Sequence, residues 1–407
     1  MSSRSRPGVV VSLSIFLLAL GAGAAGQLVR PVPVPKVRGS VASSYSVPGR
    51  ANSLAWPATG QAALYLSGFG WLGSTSGESA VPIASVTKIM TALVILQAHP
   101  LALGVPGPSV TVSAAAVAVY QSERSQGDSV VPVVAGETLS ELELLEGLLL
   151  PSGDNLAVLL ADWQSGSEGS FVQLMNQRAT SLRLRNTRFT DSSGLNPGSV
   201  SSARDLVTLA TVAMGNPVFA AIVAMPTVVL PIVGAVRNYN PILGAGGVIG
   251  IKTGWTEAAL GCLVFAARET VAGRPVQLVG AVLGQPGGPE SGLQAAGRAA
   301  MALLTSGETE LQPVQLPGAG AIVGRVTSAW GGRASIEATQ TIGLIGVSGT
   351  RLAVHLLLRR LPAPLRRGQT VGSMTVITPS GVEFHQPLIL TTKLADPGWE
   401  WRLARPI

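Results

Sequence analysis

The pattern of hydrophobic and polar positions begins with an uncharged, mostly apolar run from Pro7 to Val29, which follows Arg4 and Arg6. A short basic start, an apolar stretch and a small-residue site at 22–24 are typical of a signal peptide. About 20 apolar residues are also enough to span a bilayer, which would make the same segment an uncleaved anchor. For residues 1–29 both alternatives stay open, and both predict that the remaining chain is exported.

Residues 30–56 have no clear hydrophobic period and are rich in Pro, Ser and Gly, so we expect a flexible linker there. Between residues 57 and 306, segments with helical spacing are flanked by strand-like ones. The predicted helices cover 85–97, 140–150, 155–163, 168–182, 202–214 and 291–304. The predicted strands cover 61–66, 227–236, 261–267 and 277–283. This order predicts an α+β domain whose sheet combines strands from both ends of the region.

The pattern changes at about residue 307. Short strand candidates follow at 321–326, 334–338, 351–358 and 373–377, separated by Gly, Pro and Ser turns. They predict a second, all-β domain over 307–407. The last segment, 399–405, is too short to span a membrane; it could touch a surface, but we expect it to be a final strand.

Composition limits the chemistry. With 407 residues, 47% of them hydrophobic, the chain can bury a core large enough for two or three domains. One cysteine and three histidines supply neither a zinc cluster nor a disulfide framework, so we expect no metal and no cofactor. The net charge of +7 favours an anionic surrounding. Scattered arginines, few aromatic residues and the lack of a recognition motif argue against a nucleic-acid partner.

Two of the four lysines lie in motifs that indicate a nucleophilic serine. The first motif runs from Ser85 to Lys88, and the second is Lys-Thr-Gly at 252–254. On a helix, residues three apart share one face, and a helix start at Ser85 would favour developing negative charge. A lysine, unlike an arginine, can lose its proton when it is buried. An apolar wall and a second cation, Lys252, would disfavour the charged form of Lys88, which could then serve as the base that a serine nucleophile needs.

A third motif, Ser-Gly-Asp at 152–154, lies between these two, and the set resembles that of penicillin-binding proteins and β-lactamases. The segments 82–88, 151–157, 189–196, 238–244 and 250–256 resemble serine-type D-alanyl-D-alanine carboxypeptidases, the low-molecular-mass penicillin-binding proteins. The resemblance covers about residues 61–304. It implies a β-lactamase/DD-peptidase-like domain, an antiparallel sheet flanked by helices, followed by a small all-β domain.

The resemblance also implies an activity and three catalytic roles. Ser85 would attack the penultimate D-alanine of a stem peptide that ends in D-Ala-D-Ala, Lys88 would take its proton, and Ser152 would relay a proton to the leaving D-alanine. Water would then hydrolyse the acyl-enzyme, and β-lactams would act as covalent inhibitors. The enzyme would be extracytoplasmic, either secreted or attached to the outer face of the cytoplasmic membrane through its N-terminus.

The same resemblance implies a substrate-binding wall. Lys252 and Thr253 would bind the terminal carboxylate of the substrate, with Gly254 beside them. The backbone N–H groups of Ser85 and Trp255 would form the oxyanion hole.

The second motif departs from the Ser-x-Asn that the family commonly has, because Asp154 replaces the asparagine. An ionised carboxylate only accepts hydrogen bonds, whereas an amide also donates. Asp154 could pair with Lys88, which would keep that lysine charged, or it could pair with Lys252. It could also simply cap a helix. Asn155, the next residue, could supply the amide that position 154 lacks. Two rivals therefore remain: a transpeptidase or β-lactamase on the same scaffold, and a catalytically silent wall-binding homologue.

Overall fold

The computed structural model describes residues 7–50, 52–75 and 78–406. The basic pair Arg4 and Arg6 lies outside the described residues. The helices are α1 Pro7–Val29, α2 Lys88–Ala98, α3 Ala114–Gln126, α4 Glu141–Leu149, α5 Asp154–Ser165, α6 Glu168–Ser181, α7 Ala203–Met214, α8 Pro217–Val223, α9 Pro289–Glu308 and α10 Trp399–Ala404.

The strands alternate with these helices in the first part of the chain and follow one another in the last. They are β1 Lys36–Gly39, β2 Ser44–Ser46, β3 Gln61–Leu66, β4 Gly70–Ser74, β5 Val81–Pro82, β6 Ser109–Thr111, β7 Thr138–Ser140, β8 Val200–Ser201, β9 Thr227–Leu230, β10 Gly234–Arg237, β11 Val248–Gly254, β12 Gly261–Val271, β13 Arg274–Gln285, β14 Leu311–Val314, β15 Ile322–Thr327, β16 Arg333–Ala338, β17 Leu344–Val347, β18 Arg351–Leu358, β19 Thr370–Ile377 and β20 Glu383–Leu390.

The chain divides into two compact units. The first, called the catalytic unit below, consists of residues 47–313 with 345–350. The second, called the β unit, consists of residues 1–46, 314–344 and 351–407. The predicted α+β domain followed by an all-β region is confirmed.

The catalytic unit is built on an antiparallel five-stranded sheet in the order β11-β12-β13-β3-β4. Strand β3, from the beginning of the region, pairs with β13 near its end, which is the predicted mixing of early and late strands. Helices α7 and α9 pack on this sheet. Residues 261–267 of β12 are all buried, so their uninterrupted apolar run fits a central strand rather than a half-exposed one.

A helical layer surrounds α2, which is buried from Lys88 to Leu96 and contacts α4, α5, α6 and α7. The start of α4 carries a capping box: the Glu143 N–H donates to Ser140 Oγ, and the Ser140 N–H donates to Glu143 Oε2. Helix α3 was not predicted, because its alanine-rich face has little hydrophobic period. The predicted strand at 227–236 is a hairpin, β9 and β10.

The β unit contains a seven-stranded antiparallel sheet in the order β1-β15-β16-β20-β19-β18-β2. Its strands alternate as half-buried strands should: in β18, Leu352 and Val354 are buried while Arg351 and His355 are exposed. Helices α1 and α10 belong to the same unit and pack against each other.

Two local predictions were wrong. The stretch expected as a flexible linker, 30–56, contains β1, which pairs with β15, and β2, which pairs with β18. Strands of four and three residues are too short to show a period, and their backbone hydrogen bonds come from distant partners. The final segment is a helix rather than a strand, since α10 lies on the end of α1 instead of adding to the sheet.

Helix α1 includes Val11–Val29, which is long and apolar enough to cross a membrane and is not buried against the rest of the chain. A signal sequence would have the same length and composition. The structure therefore agrees with both alternatives for the N-terminal segment.

Candidate active site

Ser85 lies in a tight 3₁₀ turn, Ala84–Thr87, that leads directly into α2. The residue before it, Ala84, has a φ of +48°, a left-handed conformation that is unfavourable for a residue with a side chain. Gly194 permits this turn, because a Cβ on it would lie 1.9 Å from the Ala84 carbonyl oxygen. Backbone strain of this kind is concentrated at functional sites, where the surrounding structure holds it in place.

Lys88 is fully buried, and its Nζ atom has three oxygen partners. They are Ser85 Oγ at 2.9 Å, Asp154 Oδ1 at 2.5 Å and the Ser193 carbonyl at 2.9 Å. An ammonium can donate to all three. A neutral amine can donate to Asp154 and Ser193 while it accepts the Ser85 hydroxyl proton. The same geometry therefore suits Lys88 before and after proton transfer.

Asp154 is almost entirely buried at the start of α5. Its Oδ2 accepts from the Ser129 N–H at 3.1 Å, and its Oδ1 is the partner of Lys88. Burial raises the pKa of Asp154, while the positive charge of Lys88 acts in the opposite direction. Of the alternatives that the sequence leaves open, the ion pair is with Lys88; the helix N-cap is Gly153, so Asp154 is not the cap.

Asn155 does not take the place of the missing amide. Its side chain forms two hydrogen bonds with the main chain of Val131, one from the Val131 N–H and one to the Val131 carbonyl, both 2.9 Å. Adjacent helix positions point about 100° apart, which directs Asn155 away from Lys88. It instead ties α5 to the segment that follows α3.

Ser152 is buried just before α5 with a φ of +66°. In the part of the chain that the structure describes, its hydroxyl forms no hydrogen bond with Ser85 or Lys88. The strained backbone at this residue parallels that at Ala84.

The third motif forms the end of β11, beside the nucleophile. Gly254 makes the close approach possible, since a Cβ there would lie 3.0 Å from the Ser85 backbone nitrogen. Lys252 is buried, and its Nζ donates to the Thr253 carbonyl at 3.1 Å. Burial, reinforced by the charge of Lys88, lowers the pKa of Lys252 well below its usual range. Trp255 is partly exposed, and its indole N–H donates to the Gly287 carbonyl at 2.9 Å.

The loop that orients Lys88 was not predicted to have a role in the site. The Asp191 carboxylate accepts hydrogen bonds from the Ser193 hydroxyl and the Gly194 N–H, which fixes the Ser193 carbonyl against Lys88. The Thr91 hydroxyl donates to the Ser192 carbonyl at 2.6 Å. The only signal was the family-like segment 189–196, which identifies the loop but not its contacts.

Glu123, on α3, is a further acid that sequence reasoning missed. It is largely buried, and its Oε2 has no hydrogen-bond partner among the described residues. Burial, together with the neighbouring charges of Asp154 and Asp128, raises the pKa of Glu123 to about 8 against the opposing effect of Lys88. At neutral pH this carboxyl is therefore protonated. No pattern in the sequence of α3 indicates that this side chain turns inward.

The sequence matches a known protein family and several curated relatives. Residues 72–286 match the family described as D-alanyl-D-alanine carboxypeptidase, a range that includes all three motifs. A D-alanyl-D-alanine carboxypeptidase of Streptomyces sp. strain K15 is 37% identical over 201 residues, which cover 45% of this chain and 67% of the relative. D-alanyl-D-alanine carboxypeptidase DacB2 of Mycobacterium tuberculosis is 38% identical over 193 residues, 46% of this chain and 62% of the relative. Two further curated carboxypeptidases are matched over about a third of their own length.

Solved structures agree with the fold. The Streptomyces K15 DD-transpeptidase superimposes with a TM-score of 0.54 at 28% identity, over 63% of this chain and 98% of that one. Penicillin-binding protein 5 from Haemophilus influenzae has a TM-score of 0.60 over 85% of this chain and 99% of its own. At 22% identity the second likeness shows the fold alone, and it extends beyond the part of the chain that the family match covers.

Proposed function

Because the chain belongs to the D-alanyl-D-alanine carboxypeptidase family, we propose that it removes the terminal D-alanine from peptidoglycan stem peptides through an acyl-enzyme on Ser85. The observation that carries this proposal is the buried Lys88 nitrogen, 2.9 Å from the Ser85 hydroxyl. A serine becomes a nucleophile when a base lies within hydrogen-bond reach. The same attack on a β-lactam carbonyl would leave a covalent adduct.

In acylation, Ser85 Oγ forms a bond to the carbonyl carbon of the penultimate D-alanine, and the serine proton moves to Lys88 Nζ. The tetrahedral oxyanion would accept hydrogen bonds from the backbone N–H groups of Ser85 and Trp255, a type of donor worth about 2.7–4 kcal/mol each. The C–N bond then breaks, and the leaving amine takes the proton from Lys88 through Ser152. Water hydrolyses the ester and restores Ser85.

We assign substrate binding to the end of β11. Lys252 and Thr253 would hold the terminal carboxylate of the D-Ala-D-Ala group, because an anion beside a buried lysine offsets the desolvation that disfavours its charged form. Gly254 keeps this wall close to Ser85. Asp154, in place of an amide, pairs with Lys88, and we propose that this pairing slows acylation.

Fluorescent penicillin labelling of the full chain tests the proposal. We expect a covalent band that is lost in Ser85→Ala and kept in Ser122→Ala, which changes an exposed serine on α3. A folded wild-type protein without a band would contradict the proposal and support the silent homologue. A band that survives Ser85→Ala would contradict the choice of nucleophile.

Transpeptidation is a second candidate, because the similar K15 structure is titled a DD-transpeptidase. Hydrolysis and transfer share one acyl-enzyme and differ in the acceptor. Adding glycylglycine to a D-Ala-D-Ala peptide and measuring free D-alanine alongside the transfer product separates them. A transfer product that dominates at low acceptor concentration would favour transpeptidation over our proposal.

The family acts on the cell wall, so the site of action is extracytoplasmic. We propose that residues 1–29 direct export and that, where they are retained, α1 holds the enzyme at the outer face of the cytoplasmic membrane. The mass of the N-terminal peptide from the mature protein shows whether residues 1–29 are retained. A start near residue 25 would identify a cleaved signal peptide.

A further inference from the structure

The C-terminal helix α10 is fastened to the end of α1 by arginine side chains. Arg405 Nη2 donates to the carbonyls of Gln27 and Arg30, at 3.0 and 2.7 Å, and Arg402 Nη1 donates to the carbonyl of Leu28 at 3.0 Å. The last carbonyls of a helix have no partner within the helix, so these bonds satisfy groups that would otherwise need water. Helix α10 is therefore placed at the C-terminal end of α1.

Three tryptophans lie on α10 or in the turn that contacts it. Trp330, in the turn between β15 and β16, meets Trp401 of α10 edge-to-face with ring centroids 5.8 Å apart. The Trp330 indole N–H donates to the Ala395 carbonyl at 3.0 Å. Trp399, by contrast, is 64% exposed. Tryptophan is enriched where a membrane meets water, because its ring is apolar and its N–H is polar.

Strand register brings other loops of the β unit to this end. Thr327 pairs with both Lys36, the first residue of β1, and Arg333, the first residue of β16. Leu365, between β18 and β19, bridges to Leu394, beyond β20. We call this part of the β unit the helix-proximal end. It consists of residues 30–36, 328–333, 359–367 and 393–405.

The helix-proximal end is strongly basic. Beginning with the residue directly after α1, it contains ten cations: Arg30, Lys36, Arg333, Arg359, Arg360, Arg366, Arg367, Lys393, Arg402 and Arg405. The same segments contain two acids, Asp396 and Glu400. None of the ten cations forms a salt bridge within the described ranges, and all but Arg402 and Arg405 are exposed. Like charges gathered in this way repel one another unless an anionic partner neutralises them.

The chain length limits where that partner can be. Six residues, 30–35, separate α1 from β1, and an extended chain of six residues spans only about 20 Å. A bilayer that contains α1 therefore lies within reach of the helix-proximal end. Lysine and arginine close to a membrane surface are attracted by anionic headgroups.

We propose that the helix-proximal end of the β unit rests on anionic phospholipid headgroups around the end of α1. The exposed Trp399 enters the interface, and the arginines contact lipid phosphates. This contact rests on the proposed retention of α1 in the membrane and does not depend on the proposed catalytic function.

Hydrogen–deuterium exchange tests the contact. The full chain is inserted by cell-free synthesis into nanodiscs of phosphatidylcholine, alone or mixed with phosphatidylglycerol. We expect exchange in residues 328–336, 359–367 and 393–405 to slow severalfold in the anionic discs, and exchange at the opposite end, 378–383, to stay the same. Equal exchange in the two lipids would overturn the proposal.

Charge reversal provides a matched control. Arg366→Glu, at the helix-proximal end, should reduce the lipid-dependent protection, whereas Arg351→Glu, at the far end of β18, should leave it intact. Equal effects of the two exposed substitutions would show a general charge response and overturn the assignment. Protection by soluble polyglycerol phosphate but not by anionic discs would also overturn it, in favour of an anionic wall polymer.

Discussion

The two units of this protein use charge in opposite ways. The catalytic unit contains thirteen Lys and Arg against seventeen Asp and Glu, and the β unit contains fifteen against four. In the catalytic unit the charged groups that matter, Lys88, Asp154 and Lys252, are buried. In the β unit most cations are exposed and concentrated at one end. Burial changes proton affinity, which nucleophilic chemistry requires, whereas exposure keeps charge available for a partner.

The largest expected effect comes from breaking the buried ion pair. Lys88→Met should slow penicillin acylation by about 10²–10⁴-fold, the usual contribution of a general base. It should also destabilise the fold by about 3–5 kcal/mol, because Asp154 would remain buried without its cation. Stopped-flow acylation and urea unfolding measure the two effects.

Lys393→Met, which removes an exposed lysine of the β unit, is the matched control for that experiment. It should change neither quantity measurably. If Lys88→Met were acylated at the wild-type rate, Lys88 would not be the base.

Asp154→Asn removes one buried charge of the catalytic unit and keeps the shape of the side chain, so it tests the effect of that charge alone. Without the carboxylate, the Lys88 nitrogen loses its charged partner and keeps its contacts with Ser85 and Ser193, so we expect acylation to be severalfold faster. The rate of acylation by a fluorescent penicillin, followed across the pH range, measures the effect. Slower acylation at every pH would mean that Asp154 assists the reaction.

Two buried acids of the catalytic unit, Glu123 and Glu141, have raised pKa values and can be compared with each other. The pKa of Glu123 is raised to about 8 by burial and by Asp154, and that of Glu141 to about 7 by burial. Both pKa values lie above 4.5, the ordinary value of a glutamate, so each group contributes stability that is fully present below about pH 4.5. That stability is lost as the pH rises, through about 7 for Glu141 and about 8 for Glu123.

Glu123→Gln and Glu141→Gln should both flatten the dependence of unfolding free energy on pH, measured by urea titration between pH 5 and 8. Of these two acids, only Glu123 interacts electrostatically with Lys88. Above its pKa of about 8, Glu123 adds a negative charge beside the site, so Glu123→Gln alone should change the acylation rate in alkaline solution. A matching change in Glu141→Gln would show that the effect comes from the fold and not from the site.

The smallest expected effect concerns exposed charge. Arg38 and Arg325 are directly opposite each other on β1 and β15, and like charges in such pairs are destabilising by roughly 0.2–1 kcal/mol. Arg325→Gln should therefore stabilise the β unit slightly in thermal unfolding. Arg351→Gln, opposite Ser46, should not. A loss of stability in Arg325→Gln would show that the arginine has a partner in the fold.

Sequence patterns predicted the long elements well and the short ones poorly. The predicted helix at 155–163 is α5, and the central apolar run at 261–267 is β12, because both have enough residues to show a period. Strands β1 and β2 have four and three residues, and their pairing depends on partners more than 280 residues away. Helix α10 depends in the same way on its contacts with α1.

The sequence by itself determined the family, the fold class and the motif residues of the site, because motif spacing and hydrophobic period are local properties of the chain. The tertiary structure decided which groups meet. It paired Asp154 with Lys88, turned Asn155 toward Val131, placed the Ser193 carbonyl against Lys88 and buried Glu123. It also collected the scattered arginines of the β unit at one end. Proton affinity and local charge density depend on desolvation and on distances between residues far apart in sequence, so only the folded chain sets them.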